Sequence, residues 1–123
     1  MDILENAIAD YMNQFHLTEI GAPIVCLCGS TRFKSEFEHV NRELTLLGNI
    51  VLAPGVFGHS GDVISDAQKE SLDMLHFEKI AIADWVCVVD VDGYIGESTT
   101  REIKLARTMG KPIYYISKGW ETR

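Results

Sequence analysis

This chain reads as an α/β protein: a small parallel sheet held between helices in three layers. Short apolar runs stand at 24–28, 50–53, 85–91 and 112–117, flanked by glycine, proline, asparagine or aspartate. Between them the apolar residues step by three and four, the period of a helix rather than a strand. Strands alternating with helices give βαβ units, and so a parallel sheet.

Leu4, Ile8, Tyr11 and Phe15 recur at helical spacing. The first fifteen residues therefore predict an amphipathic helix, which Gly21 and Pro23 interrupt. Ile24, Val25, Cys26, Leu27 and Cys28 form an unbroken apolar run, the pattern of a strand covered on both faces. Phe33, Phe37, Val40, Leu44 and Leu47 then mark a helix closed by Gly48. The second strand, 50–53, stops at Pro54, and a glycine-rich loop fills 55–62. A helix fits 66–83, the third strand 85–91, and a third connecting helix about 99–109, ended by Gly110. The last strand, 112–117, precedes a polar tail. Right-handed crossovers leave few topologies. The expected one is a flavodoxin/Rossmann-like three-layer sandwich with strand order 2-1-3-4. Nothing in 1–123 marks a linker or repeat, so a single domain is expected. Four strands make a small sheet, which favours a homodimer or higher homo-oligomer.

Composition is 46% hydrophobic and 24% charged, ordinary for a soluble globular protein. A net charge of −7 argues against nucleic-acid or anionic-membrane partners, which need clustered Lys and Arg. It leaves room for a small anion. Three cysteines, Cys26, Cys28 and Cys87, fall in strand-like runs without a CxxC pair or nearby histidine spacing. They read as buried reduced thiols, and neither a metal nor a cofactor is expected. No basic segment leads an apolar core at the N-terminus, and no apolar run reaches membrane length. A cytoplasmic protein is expected.

In open α/β sheets ligands sit beyond the carboxyl ends of the strands, where strand order reverses. Four loops are expected to meet there, 29–32, 54–62, 90–99 and 117 onward, with the polar residues concentrated in the first three. Gly29 lets backbone approach closely, Ser30 and Thr31 supply hydroxyls beside helix-start amides, and Arg32 offers a planar fork to phosphate. An ordinary capped turn would use the same residues. The Gly-Lys-Ser/Thr ending of a Walker loop is absent. Pro54 and Gly55 open the second loop, in which Phe57 is a candidate base-stacker and His59 and Asp62 candidate hydrogen-bonding groups. Its plain alternative is a long surface loop.

The third loop sets Asp90, Asp92, Gly96, Glu97, Ser98 and Thr99 ahead of Glu102. Crowded carboxylates raise one another's pKa and mark ligand or acid–base sites. Against that, Thr99 and Glu102 match a capping box, which would make Glu102 a helix-end device. Leu72, His76 and Ile80 share one i, i+4 row with Ala83 on the same face, so His76 points inward. It is either a core histidine or a group beneath a pocket.

Several motifs occur in a telling order: Gly29 and Ser30 after the first strand, then Pro54 and Gly55 after the second. A helix ends in Ile82, Ala83 and Asp84 before the third strand. Gly96, Glu102, Ile103, Ala106 and the run Gly110, Lys111, Pro112, Ile113 follow. This order resembles the nucleoside 2-deoxyribosyltransferase superfamily, which includes nucleoside 5′-monophosphate N-glycosidases. The resemblance spans most of 24–116 and rests on short motifs. It implies cleavage of the bond between a base and C1′ of a ribose or deoxyribose, by a retaining mechanism with Glu102 as nucleophile. It further implies that Gly29, Ser30, Thr31 and Arg32 contact sugar or phosphate, and that Ser98 and Thr99 hold a 5′-phosphate. Sites in this superfamily are often completed by a neighbouring chain.

Two departures from the pattern stand out. Where the superfamily commonly carries an aspartate for the leaving base, this chain has His76; the acid is then His76, Asp73 one turn earlier, or Asp92. The loop 93–99 is also longer than the transferases' Asp-Gly-Thr form. A nucleotide-binding or sensing module on the same fold is the rival from another class. A cytokinin-type phosphoribohydrolase fits less well, because its Pro-Gly-Gly-x-Gly-Thr run is missing.

Overall fold

The structure, a computed structural model, describes residues 21–122. The helix expected over the first fifteen residues lies outside them. Among the described residues five strands form one sheet in the order β2-β1-β3-β4-β5. They are β1 (Ile24–Cys28), β2 (Ile50–Leu52), β3 (Trp85–Val88), β4 (Ile113–Tyr115) and β5 (Gly119–Trp120). The first four are parallel and keep the expected 2-1-3-4 order. The fifth is an addition: it folds back antiparallel on β4, pairing Tyr114 with Trp120 and Tyr115 with Gly119. Gly119, at φ +89°, permits the reversal, and Trp120 supplies the reason for it. Its indole packs 5.0 Å from the Tyr114 ring and 5.4 Å from that of Trp85.

Among the described residues the helices are α1 (Lys34–Leu46), α2 (Asp66–Ile82) and α3 (Glu97–Thr108). Strand alternation sorts the core between them. Val25 and Leu27 face α1, joining Trp85, Cys87, Val89 and Tyr114 around Phe37, Val40 and Leu44. Cys26 and Cys28 face the other way, with Val86, Val88, Ile113 and Tyr115 under Ile80 of α2 and Ile103 and Ala106 of α3. The molecule is therefore three-layered, with α1 on one side and α2 and α3 on the other.

Element ends are set by local bonds. At the start of α2, Ser65 Oγ accepts from Gln68 N and the Gln68 side chain accepts from Ser65 N, a reciprocal cap. At its end Ala83 turns extended, and Asp84 hands the chain to the sheet. Its amide donates to Ile24 O, and its carboxylate accepts from Ile24 N at 2.7 Å. The ladder of β3 continues one bond past the strand, Val89 N donating to Cys28 O. The chain then leaves through a 3-10 turn, Val91–Gly93, so the strand is shorter than the expected 85–91. No helix among the described residues is long and apolar enough to cross a membrane.

Glu121, just after β5, accepts from both Arg107 Nε and Nη2 and from Tyr115 Oη. The Arg107 hydrogen bonds hold its carboxyl below the usual range. The pair therefore adds stability above the unfolded-state value near pH 4, lost as pH falls through the lower folded value. Arg107 is 58% exposed, so screening limits the contribution to about 1 kcal/mol at most. In urea titrations the gap between wild type and Glu121→Gln should be present at pH 6 and close towards pH 3.

Candidate active site

Glu102 stands in the second turn of α3, because the helix begins at Glu97 with Gly96 as its flanking residue. The capping box expected from Thr99 and Glu102 does not form; Thr99 is already inside the first turn and only 2% exposed. Glu102 is thus free of helix-end duty. Its side chain is turned inward, the residue 9% exposed, and its Oε1 is sealed from solvent with no hydrogen-bond partner among the described residues. Nε2 of His76, from α2, lies 3.7 Å from that oxygen.

The same nitrogen lies 3.6 Å from Cys26 Sγ and 3.5 Å from Cys28 Sγ. Residues two apart on a strand share a face, so β1 presents both thiols to the space between α2 and α3. Four chemistry-bearing side chains from three elements meet there. Burial pushes the Glu102 carboxyl up to about 7; His76 and a hydrogen bond from the Cys28 thiol to the carboxyl oppose the rise, while Cys26 and Asp73 add to it. Asp90, Asp92 and Glu97 are not its causes, so the crowded-carboxylate expectation is corrected. For His76, burial works against charge, but the Cys26 thiol and Glu102 prevail and its pKa rises. The neighbouring Cys28 thiol makes Cys26 the more acidic of the pair, with His76 assisting.

The expected ligand loops are engaged with one another. α1 starts only at Lys34, so the first loop is a turn, Phe33 N donating to Ser30 O, rather than a helix start. Ser30 Oγ accepts from Arg32 Nε at 3.0 Å, and the Arg32 guanidinium lies 4.3 Å over the Tyr94 ring. Thr31 Oγ1 is 2.7 Å from His59 Nδ1 and also accepts from His59 N, while Ser60 Oγ donates to Thr31 O. The glycine-rich loop 55–62 is therefore pinned to the β1–α1 turn. Asp62 accepts from Phe57 N at 2.7 Å and closes its own loop. Phe57 is not the exposed base-stacker expected: its ring packs edge-on against Phe37 of the core at 5.7 Å. Pro54 and Gly55 follow β2, Gly55 exposed. Thr31→Val should cost about 1 kcal/mol and quicken proteolytic nicking within 55–62, read by limited proteolysis.

In the third loop Asp90 is buried and accepts from both Ser117 N and Ser117 Oγ, tying β3 to the turn after β4. Asp92 is exposed at φ +54°, a left-handed conformation uncommon outside glycine. Ser98 Oγ accepts from Arg101 Nη2. Asp73 is half-buried and bonded to Lys69 through both carboxylate oxygens. A depression of about 420 Å³ lies on the α1 side, lined by Ser35, His39, Asp90, Asp92 and Ser117 among others. A second is lined by Arg107, Lys111, Glu121 and Thr122. Glu102 lines neither.

The structure thus unites Glu102 and His76, and separately joins Ser30, Thr31, Arg32 and His59. The residues that sequence reading passed over are Cys26, Cys28 and Tyr94. No protein-family model matches the chain, and no curated protein matches it either.

Proposed function

We propose that this protein cleaves the N-glycosidic bond of a nucleoside 5′-monophosphate, or transfers its base, with Glu102 as nucleophile. The observation that carries this reading is the buried Oε1 without a hydrogen-bond donor, 3.7 Å from His76. Leaving such an acceptor unpaired costs about 1–3 kcal/mol, and stability gives no reason to keep it.

In the retaining sequence a Glu102 oxygen bonds to C1′ as the C1′–N bond breaks. The bonding pair leaves with the base nitrogen, which takes a proton. Water, or a second base, then attacks C1′ and releases the carboxylate. His76 is the favoured acid, since Asp73 is held by Lys69 and Asp92 faces the depression on the α1 side. A 5′-phosphate fits the amides of the first turn of α3, with Ser98 and Arg32 as polar neighbours. Thr99, being buried, does not serve there. Bond cleavage of this kind needs no metal, and the reading takes the protein as a cytoplasmic homo-oligomer.

One observation favours a second reading, a nucleotide-binding module without turnover: Glu102 Oε1 is sealed from solvent. Incubation with a panel of nucleosides and their 5′-monophosphates, followed by chromatography, separates the two. Free base, released faster from the phosphates, supports the glycosidase. Saturable binding without base supports the module.

A further inference from the structure

We infer that Cys26, Cys28, His76 and Glu102 form a binding site for a zinc-class divalent ion, buried between β1, α2 and α3. The ligand atoms of the two cysteines and the histidine all lie within 4.8 Å of one another. Tetrahedral zinc, with Zn–S near 2.3 Å and Zn–N near 2.0–2.1 Å, sets its sulfur and nitrogen ligands about 3.6 Å apart. The two Cys–His separations here are 3.6 and 3.5 Å. A carboxylate oxygen on the same ion would stand about 3.3 Å from the nitrogen. Glu102 Oε1 lies 3.7 Å from that nitrogen but outside the 4.8 Å cluster of the other three, so it turns further inward to complete the tetrahedron.

Hydrogen bonding alone does not account for the cluster. One imidazole nitrogen has a single proton or a single lone pair to offer, yet two thiols and a carboxylate oxygen face His76 Nε2. Oε1 is left with the approach of His76 and no hydrogen bond among the described residues. A cation at the centre of the three satisfies both thiols and the imidazole at once and draws Glu102 in as the fourth ligand. Two thiolates with an imidazole form a borderline-soft donor set, suited to zinc and poorly suited to magnesium or calcium. Binding would release the thiol protons to solvent. Two thiolates and a carboxylate around a doubly charged ion leave one negative charge. Lys79 is near enough for its charge to act on Cys26 and His76. All four ligand residues are buried, which makes the site a closed one that holds its ion rather than opening it to substrate.

The site stands on this geometry and not on the glycosidase reading, but the two share a side chain. An ion on Glu102 withdraws the carboxylate, so zinc should inhibit any base release.

The test uses the full chain, stripped with a chelator and titrated with Zn²⁺ against a chromophoric competitor. About one ion per chain is expected, with a rise in Tm. Co²⁺ in its place should give a near-ultraviolet thiolate charge-transfer band and the intense visible bands of a tetrahedral site. Cys28→Ser and Cys26→Ser should each weaken binding at least about 10-fold. Cys87→Ser, on the opposite face of the sheet, should leave it unchanged. Wild-type protein that takes up no Zn²⁺, or a cobalt spectrum without a thiolate band, overturns the inference even if the variants fail to fold. Base release by protein that binds no zinc removes only this site. Zinc binding by a protein that releases no base even when stripped of metal removes only the glycosidase.

Discussion

Glu102→Gln is expected to abolish base release while leaving the protein folded and more stable. Glutamine keeps the shape of the side chain, so the packing between α2 and α3 survives. What it loses is the negative charge that meets C1′ in the transition state. A fall of about 10³-fold or more corresponds to about 4 kcal/mol of lost stabilisation, large for one residue but in keeping with a covalent role. Stability should move the other way. A neutral amide is cheaper to bury than a carboxylate whose Oε1 has no donor, so the gain should be about 1–3 kcal/mol. Measured with a chelator present, the two changes together identify a residue kept for reaction at the expense of the fold. Retained turnover in Glu102→Gln would remove the carboxylate from the mechanism.

Gly29→Ala should be the most damaging single-methyl change near the strand ends. A Cβ at position 29 would sit 2.7 Å from Val89 O and 3.1 Å from a ring carbon of Phe37. The first neighbour is sheet backbone, anchored by the bond from Val89 N to Cys28 O, and the second is core. Neither can step aside. Gly29 also holds φ +158°, which side chains rarely adopt. A loss of about 2–4 kcal/mol is expected in denaturant midpoints. A variant within about 0.5 kcal/mol of wild type would mean that the β1 and β3 ends are not as close as described.

Much of the fold was legible because it depends on local pattern. The four parallel strands and their order follow from apolar runs, and α1 from the spacing of Phe37, Val40 and Leu44. The errors come from contacts made at a distance. β5 rests on one tryptophan in a polar tail, whose partners Trp85 and Tyr114 are remote or unmarked in sequence. The start of α3 was displaced because Ser98 and Thr99 are better cap residues than Gly96, yet the backbone turns at the glycine. Phe57 looked exposed because its partner, Phe37, belongs to another element. The candidate site was half visible. Sequence put Cys26 and Cys28 on one strand face and turned His76 inward, but only the fold reveals that these faces meet.

That meeting has a consequence for how the chain matures. Odd positions of β1 feed the α1 side and even positions the α2 and α3 side. Sliding β1 by a single residue against β3 would present Leu27 to His76 and strand both thiols under α1. Correct alignment of the central ladder and convergence of the sulfur, imidazole and carboxylate groups are thus one event. A misaligned intermediate keeps at most the His76–Glu102 pair and lacks both sulfurs, so the appearance of the complete centre during refolding would report native strand alignment directly.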